Sequence, residues 1–333
     1  MAETFSHRER IQAILAGETP DRHAASIWRH FYHMESTVDG LVDAMVHFQK
    51  RCHWDFMKIN PRADYHVEDW GLKQIYSKSE FERHTKTAFP INTISDWDTI
   101  RPLPVTKGVL GDHLTAVSKI RKTVGKDLPL LMTVFTPLAI AGRMVKDEMT
   151  ARDHLRAKPE RVLRALRVIT DTFRQYVVEL RNAGADGIFL ATINWATKPM
   201  LTWEEYQRFA LPYDLEIANA TGSDALNLLH VCGSDNYLAH LLKEPFPCRL
   251  VNWDASEPTN LPIDRALPLL GNKIAVGGLD HRGWFLHSEP NEVAYQVARL
   301  KEKFSSRQLI FGPGCTIAPE TPIENLLAVR ENI

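Results

Sequence analysis

The sequence predicts a closed parallel α/β barrel of eight strand–helix units, and three observations lead there. Eight short apolar runs recur along the 333 residues, most are separated by stretches of helical periodicity, and chemically active residues gather just after several of the runs. Alternating strand and helix favours a parallel sheet covered by helices. Eight such units close it into a TIM-type (β/α)8 barrel. The expected form is one domain over residues 1–333, with an N-terminal helical extension and an insertion after the second strand.

Residues 6–17 (SHRERIQAILAG) bring Ile11, Ile14 and Leu15 together and stop at Gly17, the pattern of a short helix. The strand candidates are 24–28, 55–59, 129–134, 187–191, 225–230, 250–253, 273–277 and 308–311. Helical patterns occupy 163–183, 203–220 and 290–304. Thr202 with Glu205, and Thr321-Pro322 with Glu324, read as capping boxes. The stretch 62–128 exceeds what one crossover needs, so it carries the insertion, including a loop from Phe89-Pro90 to Pro104. No internal repeat, low-complexity tract or Gly/Ser linker divides the chain.

An apolar fraction of 44% and a charged fraction of 24% are those of a soluble globular protein. Such a length buries a large core without disulfides. A net charge of −1 gives no electrostatic reason to bind nucleic acid or a membrane surface. The cysteines Cys52, Cys232, Cys248 and Cys315 form no disulfide framework and suit a reducing compartment. The polar N-terminus lacks the apolar core of a signal peptide. The most apolar segment, 128–142, is short for a membrane span and contains Pro129 and Pro137. A cytoplasmic protein is expected.

The motif that stands out is Asn227-Leu228-Leu229-His230-Val231-Cys232-Gly233. Side chains at i and i+2 of a strand share a face, so His230 and Cys232 aim at one point near a strand end. Cys315 follows the last apolar run in Gly312-Pro313-Gly314-Cys315. Two thiolates and an imidazole suit zinc and leave a fourth position open. Taken alone, His-x-Cys is a weak signal, because cysteines commonly just fill space. Its placement strengthens it: active sites of parallel barrels lie at the carboxyl ends of the strands, where all three residues fall.

Other candidates follow neighbouring strands. Arg62, Asp64 and His66 come after the second, Asn194 and Trp195 after the fourth, and Asp280, His281 and Arg282 after the seventh. The set is read as substrate-binding, with Asp280 and His281 as catalytic groups that orient a ligand or support the metal. A solvated loop around 62–70 and a packing role for Trp195 are the bland alternatives. Trp28, Tyr65, Trp70 and Trp195 are expected near the mouth, where they would suit a ring-bearing substrate. Cys52 and Cys248 are read as structural, as are His53, His240 and His287. No dinucleotide or P-loop fingerprint is present.

Several stretches together resemble the uroporphyrinogen decarboxylase superfamily: Arg8-Glu9-Arg10-Ile11, Gly17 to Arg22, Ala185 to Ile188, Tyr206 to Tyr213, Gly278-Leu279-Asp280 and Pro319 to Asn325. The resemblance runs nearly end to end and implies a TIM-type barrel. It also implies one of two chemistries, metal-free decarboxylation of a tetrapyrrole or zinc-dependent methyl transfer with cobalamin or a corrinoid protein. The methyltransferase branch has a His-x-Cys and a distant Cys as its zinc site, which His230, Cys232 and Cys315 match. The decarboxylase pattern departs here at Arg62, Arg143 and Cys315. The resemblance therefore favours a zinc-dependent methyltransferase acting between a thiol or methoxy compound and a corrinoid on a separate protein. Its variants include O-demethylation of a methoxyarene, and a carboxy-lyase is the alternative.

Overall fold

The computed structural model describes residues 4–333. Its strands are β1 (Met57–Ile59), β2 (Lys73–Ile75), β3 (Thr85–Ala88), β4 (Leu130–Phe135), β5 (Gly187–Ala191), β6 (Leu228–Val231), β7 (Leu250–Trp253), β8 (Ile274–Leu279) and β9 (Leu309–Pro313). Seven of them pair in parallel in the order β1-β4-β5-β6-β7-β8-β9. β4 to β7 and β9 are buried along their whole length. Helices cover the outer face of a parallel sheet, so its strands read as unbroken apolar runs rather than alternating ones.

The first predicted strand, 24–28, closes the barrel without becoming a regular strand. Ala25 and Arg29 form isolated parallel bridges to Phe311 and Ile317. On the other side, Asp55 N–H donates to the Ala25 carbonyl at 2.8 Å. Side chains replace ladder bonds there: Ala25 N–H donates to Asp55 Oδ2, and the Ser26 hydroxyl donates to the Phe56 carbonyl. The other seven predicted strands correspond to β1 and β4–β9.

The insertion between β1 and β4 contains the antiparallel hairpin β2–β3, a 3-10 turn at Ile94–Thr99 and the helix Gly108–Val124. The loop expected from Phe89 to Pro104 contains only the 3-10 turn. Thr202 and Glu205 form a reciprocal capping box. Thr321 does not: its hydroxyl is buried without a partner among the described residues, and the helix Ile323–Asn332 starts after Pro322 with no side-chain cap. No described helix is long and apolar enough to cross a membrane.

The N-terminal helix His7–Ala16 seals the amino ends of the strands through ions rather than apolar surface alone. Arg10, fully buried, donates to Asp21 and to Asp55 at 2.7–2.9 Å, and Arg22 also donates to Asp55. Burial alone would raise the Asp55 carboxyl. Hydrogen bonds from His7 and Arg22, with the charges of Arg22 and Arg10, outweigh it and hold Asp55 at about 2. A depressed carboxylate contributes stability that is present above its unfolded value of about 4 and lost as pH falls through its folded value. Unfolding free energy, measured by urea titration, should drop as pH falls from about 4 to about 2. At neutral pH, Asp55→Ala should cost about 3–5 kcal/mol, because it strips a buried cation of a partner.

Candidate active site

His230 sits inside β6, with Ala191 of β5 and Asn252 of β7 as its register neighbours. Cys232 follows β6 directly, and Cys315 lies two residues past β9. Cys232 Sγ and Cys315 Sγ are 3.8 Å apart, and Cys315 Sγ is 3.7 Å from His230 Nε2. All three donor atoms lie within 4.8 Å of one another. Thiolates held tetrahedrally at about 2.3 Å from one ion stand about 3.8 Å apart, and a thiolate and an imidazole nitrogen about 3.6 Å. Two of the three donor pairs thus have the spacing that a tetrahedral soft ion requires, and the third lies within 4.8 Å. No long loops are needed, since strand ends on opposite sides of the mouth converge directly.

Glycines permit that convergence. A Cβ on Gly314 would lie 2.8 Å from the Asp254 Cα, so any side chain there would push Cys315 away. Gly233 has φ +84°, and a Cβ on it would meet Thr197 at 2.8 Å.

Asn252 sets the chemical state of His230. Its amide nitrogen donates to the carbonyls of Val276 and Pro313 at 2.8 and 2.9 Å. With both protons used, its Oδ1 can only accept, and His230 Nδ1 lies 2.5 Å away. Nδ1 therefore carries the imidazole proton, leaving the Nε2 lone pair toward the sulfurs. Sequence reasoning missed Asn252; the available signal was a lone amide in the apolar run Leu250–Trp253, opposite His230. The sulfurs are inequivalent. A hydrogen bond from Cys232 lowers Cys315 well below an ordinary thiol against the effect of burial, whereas Cys232 is raised by the same contact and by burial.

The cluster opens on a cavity of about 760 Å³. Of the sequence-predicted residues, Arg62, Asp64, His66, Asn194, His281 and Arg282 line it. His66 has both nitrogens engaged, accepting from Phe135 N–H and facing the Ala63 carbonyl, and burial pushes it far below an ordinary histidine. It is wall rather than a proton carrier. Arg62 is held by Glu68, and Asp64 pairs with Lys86 at 3.0 Å and Arg143 at 3.3 Å. Burial also lowers His281, with the Asp254 charge opposing, and its Nδ1 has no partner among the described residues.

Two expectations are corrected. Trp195 lies outside the cavity, fully buried with its indole against Gly142, so it packs the barrel instead of plating a substrate. Asp280 also lies outside: its carboxylate accepts from the Arg282 and Gly283 backbone N–H groups and shapes the turn that presents His281. The aromatic set shifts as well. Tyr65 donates to the Thr133 carbonyl in the core and Trp70 to the Arg101 carbonyl, which leaves Trp28 as the expected aromatic that lines the cavity. Tyr32, Phe81, Phe135 and Phe189 join it.

Two further sets were not anticipated. Glu35 is buried, accepts from Phe31 N–H and His30, and lies 3.5 Å from His84 on the hairpin. The positive charge of His30 offsets burial and holds Glu35 at about 2. Lys58, on the inner face of β1, is buried at 4% exposure with its amine over Phe189 and Trp28. Burial pushes it down to about 7, opposed by the charges of Cys315 and Glu35.

A closed parallel barrel with a thiol–imidazole cluster at its carboxyl mouth and a deep cavity beside it is the architecture of a TIM-barrel enzyme. Residues 20–333 match the profile described as Uroporphyrinogen decarboxylase (URO-D), and the chain belongs to that family. A methylated-thiol–coenzyme M methyltransferase of Methanosarcina mazei is 26% identical over 217 residues, 65% of this chain and 55% of that protein. The match thus spans little more than half of that relative. Methylcobamide:CoM methyltransferase MtbA of Methanosarcina acetivorans is 24% identical over 72% of this chain and 68% of its own length. A uroporphyrinogen decarboxylase of Geobacter sp. (strain M21) is 25% identical over 72% and 69%. The solved structure of a methyltransferase from Methanosarcina mazei shares the fold with a TM-score of 0.83 over 98% of both chains, at 18% identity.

Replacing Asn252 by Ala should leave the circular dichroism spectrum intact and weaken zinc binding about 10–100-fold, as loss of a ligand-orienting partner does. Competition with a chromophoric chelator measures it. Titrated with zinc, the wild-type protein should take up one equivalent and Cys315→Ala none.

Proposed function

We propose that the protein is a zinc-dependent methyltransferase that moves a methyl group between a small thiol or methoxy compound and a corrinoid. The observation that carries this reading is the convergence of His230 Nε2, Cys232 Sγ and Cys315 Sγ within 4.8 Å of one another beside the cavity. Zinc held by these three residues would supply Lewis acidity at a position open to a bound sulfur or oxygen. Asn252 keeps His230 in the tautomer that can ligate. His281, on the turn shaped by Asp280, stands within charge range of Cys315 and favours the anionic sulfur when protonated.

The cavity wall handles the substrate. Of the six cationic side chains that line it, Arg62 pairs with Glu68, Lys86 and Arg143 with Asp64, and Arg282 with Asp254, while Lys58 and Arg83 have no carboxylate partner among the described residues and favour an anionic or anion-forming ligand. Phe81, Phe135, Phe189 and Trp28 supply apolar contact. The hairpin residues Phe81 to Lys86 close one side and exclude water from the reacting groups. The names of the methylthiol and methylcobamide relatives support a corrinoid reactant, here read as borne on a partner protein. The carboxy-lyase reading draws on the family name and the decarboxylase relatives but gives the three donors no task.

The test supplies reduced cobalamin with either an aryl methyl ether or a methylated thiol and follows methylation of the corrinoid. Activity should fall at least about 10²-fold on chelation or in Cys232→Ser and return to the chelated enzyme with zinc. Decarboxylation of a tetrapyrrole acid that survives in Cys232→Ser would decide for the lyase instead.

A further inference from the structure

Neither the thiol–imidazole cluster nor the ion pairs of the cavity wall account for Lys58. Arg62 has Glu68, and Lys86 and Arg143 share Asp64. Lys58 lines the same cavity, yet its amine donates to the Asn60 amide oxygen and meets no carboxylate within ion-pairing distance among the described residues. Asn60 is neutral, and the charges of Cys315 and Glu35 act on the amine without pairing with it. Partial compensation comes from aromatic faces, with Nζ 4.5 Å from the Phe189 ring centre and 5.7 Å from that of Trp28. A buried ammonium without a counter-ion is costly and marks a place where an anion is bound or formed.

The placement says which kind of anion. Phe189 touches both Lys58 and the His230 ring, whose centre is 5.1 Å from its own. The amine and the ligand imidazole thus share one aromatic wall. A flat substrate ring that packs on Phe189 and Trp28 brings a ring substituent toward the amine while its neighbourhood stays beside the cluster.

We propose that Lys58 receives the aryl oxygen of a methoxyarene as that oxygen becomes phenolate, so that the methyl donor of this enzyme is an aryl methyl ether. The inference deepens the methyl-transfer reading and rests on it for the reaction. In the step, the O–CH3 bond breaks and its electron pair stays on the aryl oxygen. The methyl carbon bonds to the cobalt of a cobalt(I) corrinoid, which donates the new pair and is formally oxidised by two electrons. No proton is consumed, and the new negative charge forms where the Lys58 ammonium can hold it. A charge-assisted hydrogen bond of this kind strengthens as charge develops on oxygen and so favours the transition state over the neutral ether.

The test compares binding of 2,4-dinitrophenolate with binding of its neutral methyl ether, 2,4-dinitroanisole, by calorimetric titration. It uses zinc-loaded and chelator-treated protein at about pH 6, where this acidic phenol is ionised and Lys58, pushed down to about 7, still carries its proton. Wild type should prefer the phenolate in both forms. In Lys58→Met and Lys58→Gln that preference should fall about 10–100-fold, the range of one hydrogen bond to a charged group, with 2,4-dinitroanisole binding unchanged. Lys58→Arg should restore part of it. Zinc content should equal wild type in every variant, which separates this role from one at the cluster. A preference that persists in both neutral variants overturns the proposal, as does a wild type with none. If the preference follows Lys58 while no ether methylates reduced cobalamin, the anion site stands and the methyl-transfer reading falls. If ethers are demethylated and the preference ignores Lys58, the present inference falls alone.

Discussion

The contact on which the site depends is the one between His230 Nδ1 and Asn252 Oδ1. Asn252 is fully buried inside the barrel and spends its amide protons on carbonyls of β8 and β9. One side chain therefore links three consecutive strands and, through its remaining oxygen, fixes a tautomer on a fourth. A buried polar group that is fully satisfied rigidifies its surroundings, whereas one left partly satisfied is expensive. Here the same bonds that align strand ends also decide which imidazole nitrogen faces the sulfurs.

The two ends of the barrel divide the work. At the amino ends, the network of Arg10, Asp21, Arg22 and Asp55 is buried and well paired, and it ties the N-terminal helix to β1. At the carboxyl ends, charges are less evenly matched, and glycines replace side chains so that Cys232 and Cys315 can approach each other. Stability is concentrated where no ligand enters. Strain and unbalanced charge are tolerated where one does.

Most of the barrel and the pairing of His230 with Cys232 were legible in the sequence because both rest on short-range regularities. Parallel strands appear as unbroken apolar runs, and the i, i+2 spacing of His230 and Cys232 determines which way they face. What escaped notice depends on partners distant in the chain. Lys58 and Asn252 each interrupt an apolar run by one polar residue, and only the barrel closure reveals that they point inward, Lys58 at the cavity and Asn252 at His230. Trp195 follows a strand as a mouth residue should, yet its backbone turns, with Ile193 at φ 51°, and sends the ring under Gly142. Glu35 belongs to a stretch with no periodic signal. Its role emerges only when His84 of the hairpin arrives beside it.

The hairpin itself meets the barrel near the cavity through Lys86 to Asp64 and His84 to Glu35, and neither metal donors nor Asn252 belong to it. Reactivity and molecular recognition are thereby mounted on separate pieces of chain. A lineage can redraw the outline of what enters, by reshaping one surface ribbon, while the inorganic chemistry beneath it stays as it was.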